Sequence, residues 1–352
     1  MSRVHRAVLL AASLTGGCDL VFGLERPPEA ASPVGVVFDN SASNVDLVDF
    51  PVLVAFGPED LGGVSVLDVA TDLRFHDPDT DVDLPFDVER WDASGESLIW
   101  VRVPQIDARS TTDGILMYFG AGVATAPRSR TEVWSSYDLI FHGGTDENAA
   151  GTSYTPTRTT GVTFAQGRIG NAVQLNRPGD HRVTFEGSEA LLDRWPSFTL
   201  ELWIYPDYAS PALGGIEPVV LENGGSVPNG RLFSPTPEGP LLLQFDIAFA
   251  NGPSTTYMYV PHRIWSHVIY AFNGETLLLY RNGTFANFDA VGTTTLSSST
   301  NSLVLGSGDR ALTGMIDELR VSRAYRGPDW IFAQYLSMSG SFARIVRKET
   351  LL

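Results

Sequence analysis

The chain of 352 residues holds a single cysteine, Cys18, so no disulfide can form within it. That removes a common stabiliser of secreted domains and leaves stability to packed cores. Positive charge is also scarce. The 24 basic residues face 41 acidic ones, giving a formal charge of −17. Such a surface repels phosphate backbones and argues against a nucleic-acid partner. No apolar run reaches the ~20 residues that a membrane-spanning helix needs. Neither Gly-x-Ser-x-Gly nor His-Glu-x-x-His occurs, and the six histidines are scattered. What is plentiful is glycine (34), proline (22) and small or β-branched residues, with 43% hydrophobic content. That composition favours short strands joined by turns over helices, with enough apolar material for real cores. The length allows two or three domains.

Residues 1–18 carry the first organised signal. Arg3-Val4-His5-Arg6 is basic, Ala7-Val8-Leu9-Leu10-Ala11-Ala12-Ser13-Leu14 is apolar, and Thr15-Gly16-Gly17 precedes Cys18. A basic segment, a short apolar segment and small residues before a cut site are the parts of an export signal. The pattern resembles a bacterial lipoprotein signal, in which Cys18 is lipidated and becomes the mature N-terminus. Such lipoproteins usually have Leu three places before the cysteine; here Thr15 holds that place and Leu14 precedes it. The alternatives are an ordinary secretory signal cut nearby and an unprocessed chain. The resemblance implies an exported protein, lipid-anchored to a membrane of the cell envelope, on its periplasmic or cell-surface face. Residues 19–33, with Pro27, Pro28 and Pro33, then read as an extended tether.

Residues 34–122 show strand patterns bounded by turn residues. Phe50 to Phe56, Leu73 to His76, Phe86 to Trp91, Ser97 to Val103 and Ile115 to Gly120 occur in order. Their spacing predicts an antiparallel sandwich, with Pro104 ending one strand. In Phe86 to Trp91, alternation puts Phe86, Val88 and Arg90 on one face and Asp87, Glu89 and Trp91 on the other. These segments resemble an uncharacterised bacterial β-sandwich domain of unknown function, found on exported proteins and on relatives of biopolymer-transport proton-channel components. The resemblance brings no established activity. No channel helix is present, so that association does not carry over. Residues 123–139 read as a linker, with Trp134, Tyr137, Leu139, Ile140 and Phe141 forming an apolar strand.

Residues 140–325 are again all strands. Phe198 to Pro206 alternates strictly, with Phe198, Leu200, Leu202 and Ile204 on one side. Asn273-Gly274 predicts a type I′ hairpin turn, and Asn282-Gly283 begins a second. Gly167 to Leu175, Phe198 to Pro206, Trp265 to Val268, Tyr280 to Gly283 and Gly314 to Val321 together resemble a laminin-G-like, concanavalin A-like jelly roll. Asp329 to Tyr335 suits a short helix within a C-terminal helix and tail, residues 326–352. The expected architecture is therefore all-β: two tandem antiparallel β-sandwiches, the second a concanavalin A-like jelly roll, with a short C-terminal helix.

Candidate chemistry is sparse. Asp317-Glu318 suggests the paired carboxylates of a glycosidase, yet adjacent strand residues point to opposite faces and cannot easily flank one bond. Domains of the resembling family often hold Ca2+ near the sandwich rim. That resemblance implies Asp317, in the closing motif, and Asp180, in the Pro178-Gly179-Asp180 loop, as its ligands. The bland reading is a turn cap at Asp180 and ion pairs to Arg320 or Arg323. Asp77, Asp79, Asp81 and Asp83 alternate like a calcium loop but lack its glycine and closing glutamate, so a solvated turn is expected. Trp203, Trp265 and Tyr270 fall on strands and are expected in the core. Tyr205, Tyr208, Tyr257 and Tyr259 lie near strand ends or loops, where exposed rings can stack on sugars. The expected function is membrane-anchored, non-catalytic binding or adhesion at the envelope, recognising a carbohydrate or protein through the second sandwich. A glycan-active hydrolase and a purely structural envelope protein are the alternatives.

Overall fold

A computed structural model describes residues 33–62, 72–120, 129–177, 179–208, 217–223, 229–233 and 240–346. Cys18, most of the tether and Pro178 lie outside the described residues. The first unit contains β1 (Val34–Phe38), β2 (Leu47–Phe56), β3 (Leu73–Asp77), β4 (Val82–Leu84), β5 (Phe86–Arg90), β6 (Ser97–Ile106) and β7 (Gly114–Phe119). Helix α1 (Arg130–Val133) leads into the second unit: β8 (Leu139–Phe141), β9 (Thr155–Arg158), β10 (Thr163–Gln166), β11 (Asn171–Leu175), β12 (Arg182–Glu186) and β13 (Phe198–Pro206). It continues with β14 (Val219–Glu222), β15 (Asn229–Phe233), β16 (Leu242–Phe249), β17 (Gly252–Tyr259), β18 (Ser266–Phe272) and β19 (Thr276–Arg281). Then come β20 (Thr284–Ala290), β21 (Val304–Gly306), β22 (Gly314–Ser322), helix α2 (Pro328–Met338) and β23 (Ala343–Val346).

The first sandwich faces a five-stranded sheet, in the order β23-β1-β7-β3-β4, with a three-stranded sheet, β2-β6-β5. Period-two alternation sends Leu73 and Phe75 of β3, and Ile115, Met117 and Phe119 of β7, into a core shared with Phe50, Val52, Phe86 and Val101. Strand β2 is a sheet edge, which is why it tolerates Pro51 within the strand. Pro104 does not end β6 as expected. The strand runs on to Ile106, because only β2 flanks it there and the residue opposite the proline, Asp49, takes a left-handed φ of 52° without breaking the register.

The first sandwich is closed by the far end of the chain. β23 pairs antiparallel with β1, from Gly35 opposite Val346 to Phe38 opposite Ala343. Phe342 packs 5.9 Å from Phe38 and 5.5 Å from Phe50, and Trp330 of α2 meets Phe50 edge-on at 4.7 Å. The expected helix is present, begun by Pro328 at its first position with Asp329 in the first turn. The strand after it was not foreseen: four residues are too few for alternation to show.

The second sandwich packs an eight-stranded sheet against a seven-stranded one. The first runs β10-β11-β22-β13-β18-β19-β20, with β8 joining through β22; the second runs β17-β16-β15-β14-β21-β12-β9. Phe198, Leu200, Leu202 and Ile204 enter the core as the alternation requires. The other face of β13 is buried as well. Thr199, Glu201 and Trp203 are turned toward the first sandwich and α2, and Trp203 joins Trp100, Trp134 and Met338 in a separate apolar cluster. Trp203 and the half-buried Trp265 thus serve this seam rather than the sandwich core, whereas Tyr270 is a core residue. Trp134 and Tyr137 lie around α1 rather than on a strand, so the expected strand is cut to Leu139–Phe141.

Turn chemistry separates the two hairpins. Asn282 and Gly283 both adopt positive φ (51° and 72°), as a type I′ turn demands. Asn273 does not. Its side-chain oxygen accepts the N–H groups of Glu275 and Thr276, so β18 and β19 are joined by a longer side-chain-capped loop instead. Asp77 does the same at the acidic hairpin, accepting from Asp79 and Thr80, which makes the expected solvated turn.

Replacing Phe342 by alanine deletes a ring shared by both layers of the first core. It should cost about 3–5 kcal/mol of stability. Denaturant unfolding checks this, and a loss below about 1 kcal/mol, typical of a surface change, would show that the tail is not part of the core.

Candidate functional site

Two places stand out: a buried charged seam between the sandwiches, and an exposed aromatic cleft on the second one. The seam originates in one irregularity. Glu201 lies opposite Arg320 but Trp203 lies opposite Asp317, so β22 carries an extra residue against β13. Glu318 takes φ 53° at this bulge, a left-handed conformation that a glutamate rarely adopts. Ile316, Leu319 and Val321 still point into the core. Asp317, Glu318 and Arg320 therefore all face the first sandwich. The expectation that Asp317 and Glu318 point to opposite faces fails at the bulge.

Each side chain of the seam has defined partners. Asp317 Oδ2 accepts the N–H groups of Arg168 and Ile169, at 2.8 and 2.9 Å, and so fixes the tight turn before β11. Glu318 accepts from Arg320 at 2.6 Å through one oxygen and lies 2.8 Å from His142 Nδ1 through the other. His142 Nδ1 is also 3.0 Å from Glu89 of β5. Asp87 accepts from Trp134 Nε1 at 3.0 Å and from Arg130 Nε at 3.2 Å. The Arg320 guanidinium is wedged between Trp100 and Trp134, 4.3 and 4.7 Å from their ring centres.

Burial and neighbouring charge pull these groups apart. Burial alone would raise Asp87, but the hydrogen bond and charge of His142, with Trp134 and Arg130, hold it well below the usual carboxylate range. Glu318 is likewise lowered: burial opposes ionisation, and His142 and Arg320 outweigh it. Burial pushes the Glu89 carboxyl up to about 7, with Glu318 and Asp87 adding to the rise against the pull of His142. Asp317 is raised by burial and by Glu318. His142 is raised because the charges of Glu318 and Glu89 overcome its burial.

The expected calcium pair does not assemble. Asp180 is exposed beside Arg182, 3.3 Å away, at the entrance to the seven-stranded sheet. Asp317 lies on the outer face of the opposite sheet, and packed sheets stand ~10 Å apart. Calcium needs six to eight oxygens around one point, and these two carboxylates do not share one. Among the described residues, the group with metal-ligand spacing is Glu89, His142 and Glu318, whose donor atoms lie within 4.8 Å of one another. Alternation placed Glu89 away from its own core, but nothing in the sequence links it to His142 or Glu318.

The cleft forms where the edges of the two sheets meet, at β17 and β20. Along β17, Ser254, Thr256 and Met258 turn inward, so Tyr257 and Tyr259 turn out, 52% and 46% exposed. Phe285 on β20 stands opposite them, also 52% exposed. With Arg281 and Asn287 these rings line a cleft of about 430 Å³. Arg281 stacks over Tyr259 at 5.1 Å and donates to its carbonyl at 2.8 Å. Asn287 donates to the Tyr257 carbonyl at 2.9 Å. The backbone is thus pinned while the Tyr257 and Phe285 rings stay half exposed and Arg281 lies over one face of Tyr259. Tyr205 and Tyr208 do not join this cleft. Tyr205 packs 5.5 Å from Trp265, and Tyr208 rests on the core with its hydroxyl accepting the Thr313 N–H at 3.0 Å. Phe285, Phe288 and Arg281 went unnoticed in the sequence. Two phenylalanines on the return strand of a hairpin, without an inward rhythm, were the available signal.

The second sandwich is concanavalin A-like: residues 177–332 match the family described as the concanavalin A-like lectin/glucanases superfamily. Residues 70–149 match a domain of unknown function, DUF2341. No curated protein matches the sequence. Similar solved structures include the binding domain of Paraclostridial Mosquitocidal Protein 1, at 16% identity and TM-score 0.48, covering 58% of this chain and 52% of that one. Another is domain 4 of AbnA, a GH43 extracellular arabinanase from Geobacillus stearothermophilus, in complex with arabinotriose. It shares 17% identity and TM-score 0.44 over 56% of this chain and 97% of that one. A third is the binding domain of botulinum neurotoxin DC in complex with SialylT, at 13% identity and TM-score 0.45, over 58% of this chain and 52% of that one. The chain spans about half the length of the first and third of these.

The seam generates a pH prediction. Glu89 holds its proton up to about pH 7 when folded but releases it near 4.3 when unfolded. Its contribution is therefore present at acidic pH and is lost as pH rises through that window. His142, also raised, acts in the same direction. Asp87 and Glu318, lowered, act oppositely and withdraw stability in acid. In EDTA, the melting temperature should fall from pH 5 to pH 8, and Glu89→Gln, which keeps the neutral form, should flatten that fall. A pH-independent midpoint in the native chain would contradict this.

Proposed function

We propose that this chain is a non-catalytic binding protein of the cell envelope, held by a lipid on Cys18, and that it recognises carbohydrate through its concanavalin A-like sandwich. The observation that carries this reading is the set of half-exposed rings, Tyr257, Tyr259 and Phe285, lining one cleft beside Arg281 and Asn287. Sugar rings present apolar C–H faces and polar edges. Flat aromatic faces stack on the former, and a guanidinium and an amide hydrogen-bond the latter. Exposed aromatics grouped in a concave site also mark binding surfaces generally, so a protein loop rich in apolar side chains is the second occupant of the same cleft.

The hydrolase alternative loses its candidate pair. Asp317 and Glu318 are each 1% exposed and committed to the Gly167 turn, His142 and Arg320. They cannot flank a glycosidic bond in an open groove. Lipid attachment rests on the Arg3-to-Cys18 signal, and the acidic surface speaks for a partner other than nucleic acid.

Screening residues 33–346 on a glycan array tests the binding reading. Tyr257→Ala and Tyr259→Ala should each weaken the strongest hit at least about tenfold, equivalent to ~1.4 kcal/mol, with unchanged melting temperature. Tyr205→Ala should leave affinity intact. Binding that survives loss of both Tyr257 and Tyr259 would move the site elsewhere. For the anchor, metabolic labelling with palmitate should mark the full chain in a bacterial host and fail in Cys18→Ala; equal labelling of both would remove the lipid.

A further inference from the structure

We propose that Glu89, His142 and Glu318 form a binding site for a divalent transition-metal ion, of the zinc class, that clamps the two sandwiches together. The three residues come from three separate places in the chain. Glu89 belongs to β5 of the first sandwich, His142 follows β8, and Glu318 sits at the bulge of β22 in the second. Their donor atoms lie within 4.8 Å of one another, with Glu89 Oε2 and Glu318 Oε1 at 3.0 and 2.8 Å from His142 Nδ1.

One imidazole nitrogen with two carboxylate oxygens is a donor set that borderline cations such as Zn2+ accept, and that hard calcium does not seek. Zinc bonds of ~2.0–2.2 Å put tetrahedral ligands about 3.3–3.5 Å apart, so an opening of roughly half an ångström admits the ion. The side chain of His142 is 14% exposed, while those of Glu89 and Glu318 are 4% and 0% exposed, so the site is almost wholly enclosed. Trp100 Nε1 already donates to Glu89, at 3.3 Å, and Arg320 to Glu318, at 2.6 Å, which orients both carboxylates toward the imidazole.

Charge favours the ion over the bare network. Five carboxyl groups, Asp87, Glu89, Glu201, Asp317 and Glu318, face three cations, Arg130, His142 and Arg320. Glu201 lies 3.5 Å from Arg320 and 3.6 Å from His267, and Arg130 also reaches the exposed Glu147. A divalent ion on a neutral imidazole adds one net positive charge to this surplus of carboxyls. A separate observation points the same way. Asp317 Oδ1 is buried with no hydrogen-bond partner on this face of the sheet, an acceptor left over in a region short of positive charge.

The experiment uses the full chain, stripped with EDTA and then titrated with Zn2+ in a calorimeter and in thermal melts. One ion per chain is expected, with a melting-temperature rise of several degrees, and cobalt should give the visible absorption of a low-coordinate site. Glu89→Gln and His142→Gln should each lower zinc affinity at least tenfold, every variant being compared with its own metal-free melt. Glu89→Gln is close to isosteric and removes a surplus carboxyl, so it keeps the test open if His142→Gln fails to fold. Asp180→Ala should bind as the parent does. Absence of stoichiometric zinc binding, or binding that persists unchanged in Glu89→Gln, overturns the proposal. Glycan binding by the distant cleft is read separately and does not bear on this outcome.

Discussion

Burying charge between two β-sandwiches is costly, and much of the architecture is arranged around offsetting it. An ion in a dry interface costs several kcal/mol unless partners surround it. The single-residue bulge in β22 makes this possible. By turning Asp317, Glu318 and Arg320 to one face, it delivers two acids and a guanidinium to the same seam. Two tryptophans enclose the guanidinium, and two backbone amides and a histidine occupy the acids. Without the bulge, Glu318 would be driven into the apolar core of the second sandwich. A left-handed glutamate is the strain accepted in exchange, and such strain persists only where the surroundings over-determine it.

The seam also fixes the relation between the sandwiches. β5 of the first presents Asp87 and Glu89, while β8, β13 and β22 of the second present His142, Glu201 and the bulge triplet. Apolar packing of Trp100, Trp134, Ile169, Trp203 and Met338 seals its edges. A charged network is directional in a way that an apolar contact is not, since each donor accepts few geometries. The aromatic cleft stands apart from all this. β20 is four strands from β22 in the same sheet, or ~19 Å at the usual strand spacing. Ring exposure at the cleft is therefore decoupled from the charges that hold the sandwiches together.

Local features of the chain were legible in its sequence, and features made by distant residues were not. Strict alternation in Phe198 to Pro206 located the core of the second sandwich, and Asn282-Gly283 marked a true type I′ turn. Asn273-Gly274 looked the same in sequence but differs because Asn273 uses its side chain to cap the loop. The exposure of Tyr257 and Tyr259 was legible from their position, at a strand where outward rings have no core to enter. Their partner Phe285 was missed, because no local rule says which exposed phenylalanine will stand across from them. The seam was least visible. Its members span residues 87 to 320, and the bulge that aims two of them inverts the face that alternation assigns. Asp317 and Glu318 were noticed as a pair, but as a groove or rim rather than a joint.

The pairing of β23 with β1 bears on how such a chain acquires its structure during synthesis. Chains usually complete their N-terminal domain first, as it emerges. Here Val36 waits for Ile345, and Phe38 and Phe50 wait for Phe342. The first-made sandwich is therefore the last to be finished, its sheet left with a bare edge at β1 while some 220 residues follow. A bare edge is a template for strand pairing between chains, so the growing chain passes through a long interval in which it is open to association with its neighbours. Only arrival of β23 ends that interval, and its four residues act as the seal on the first sandwich.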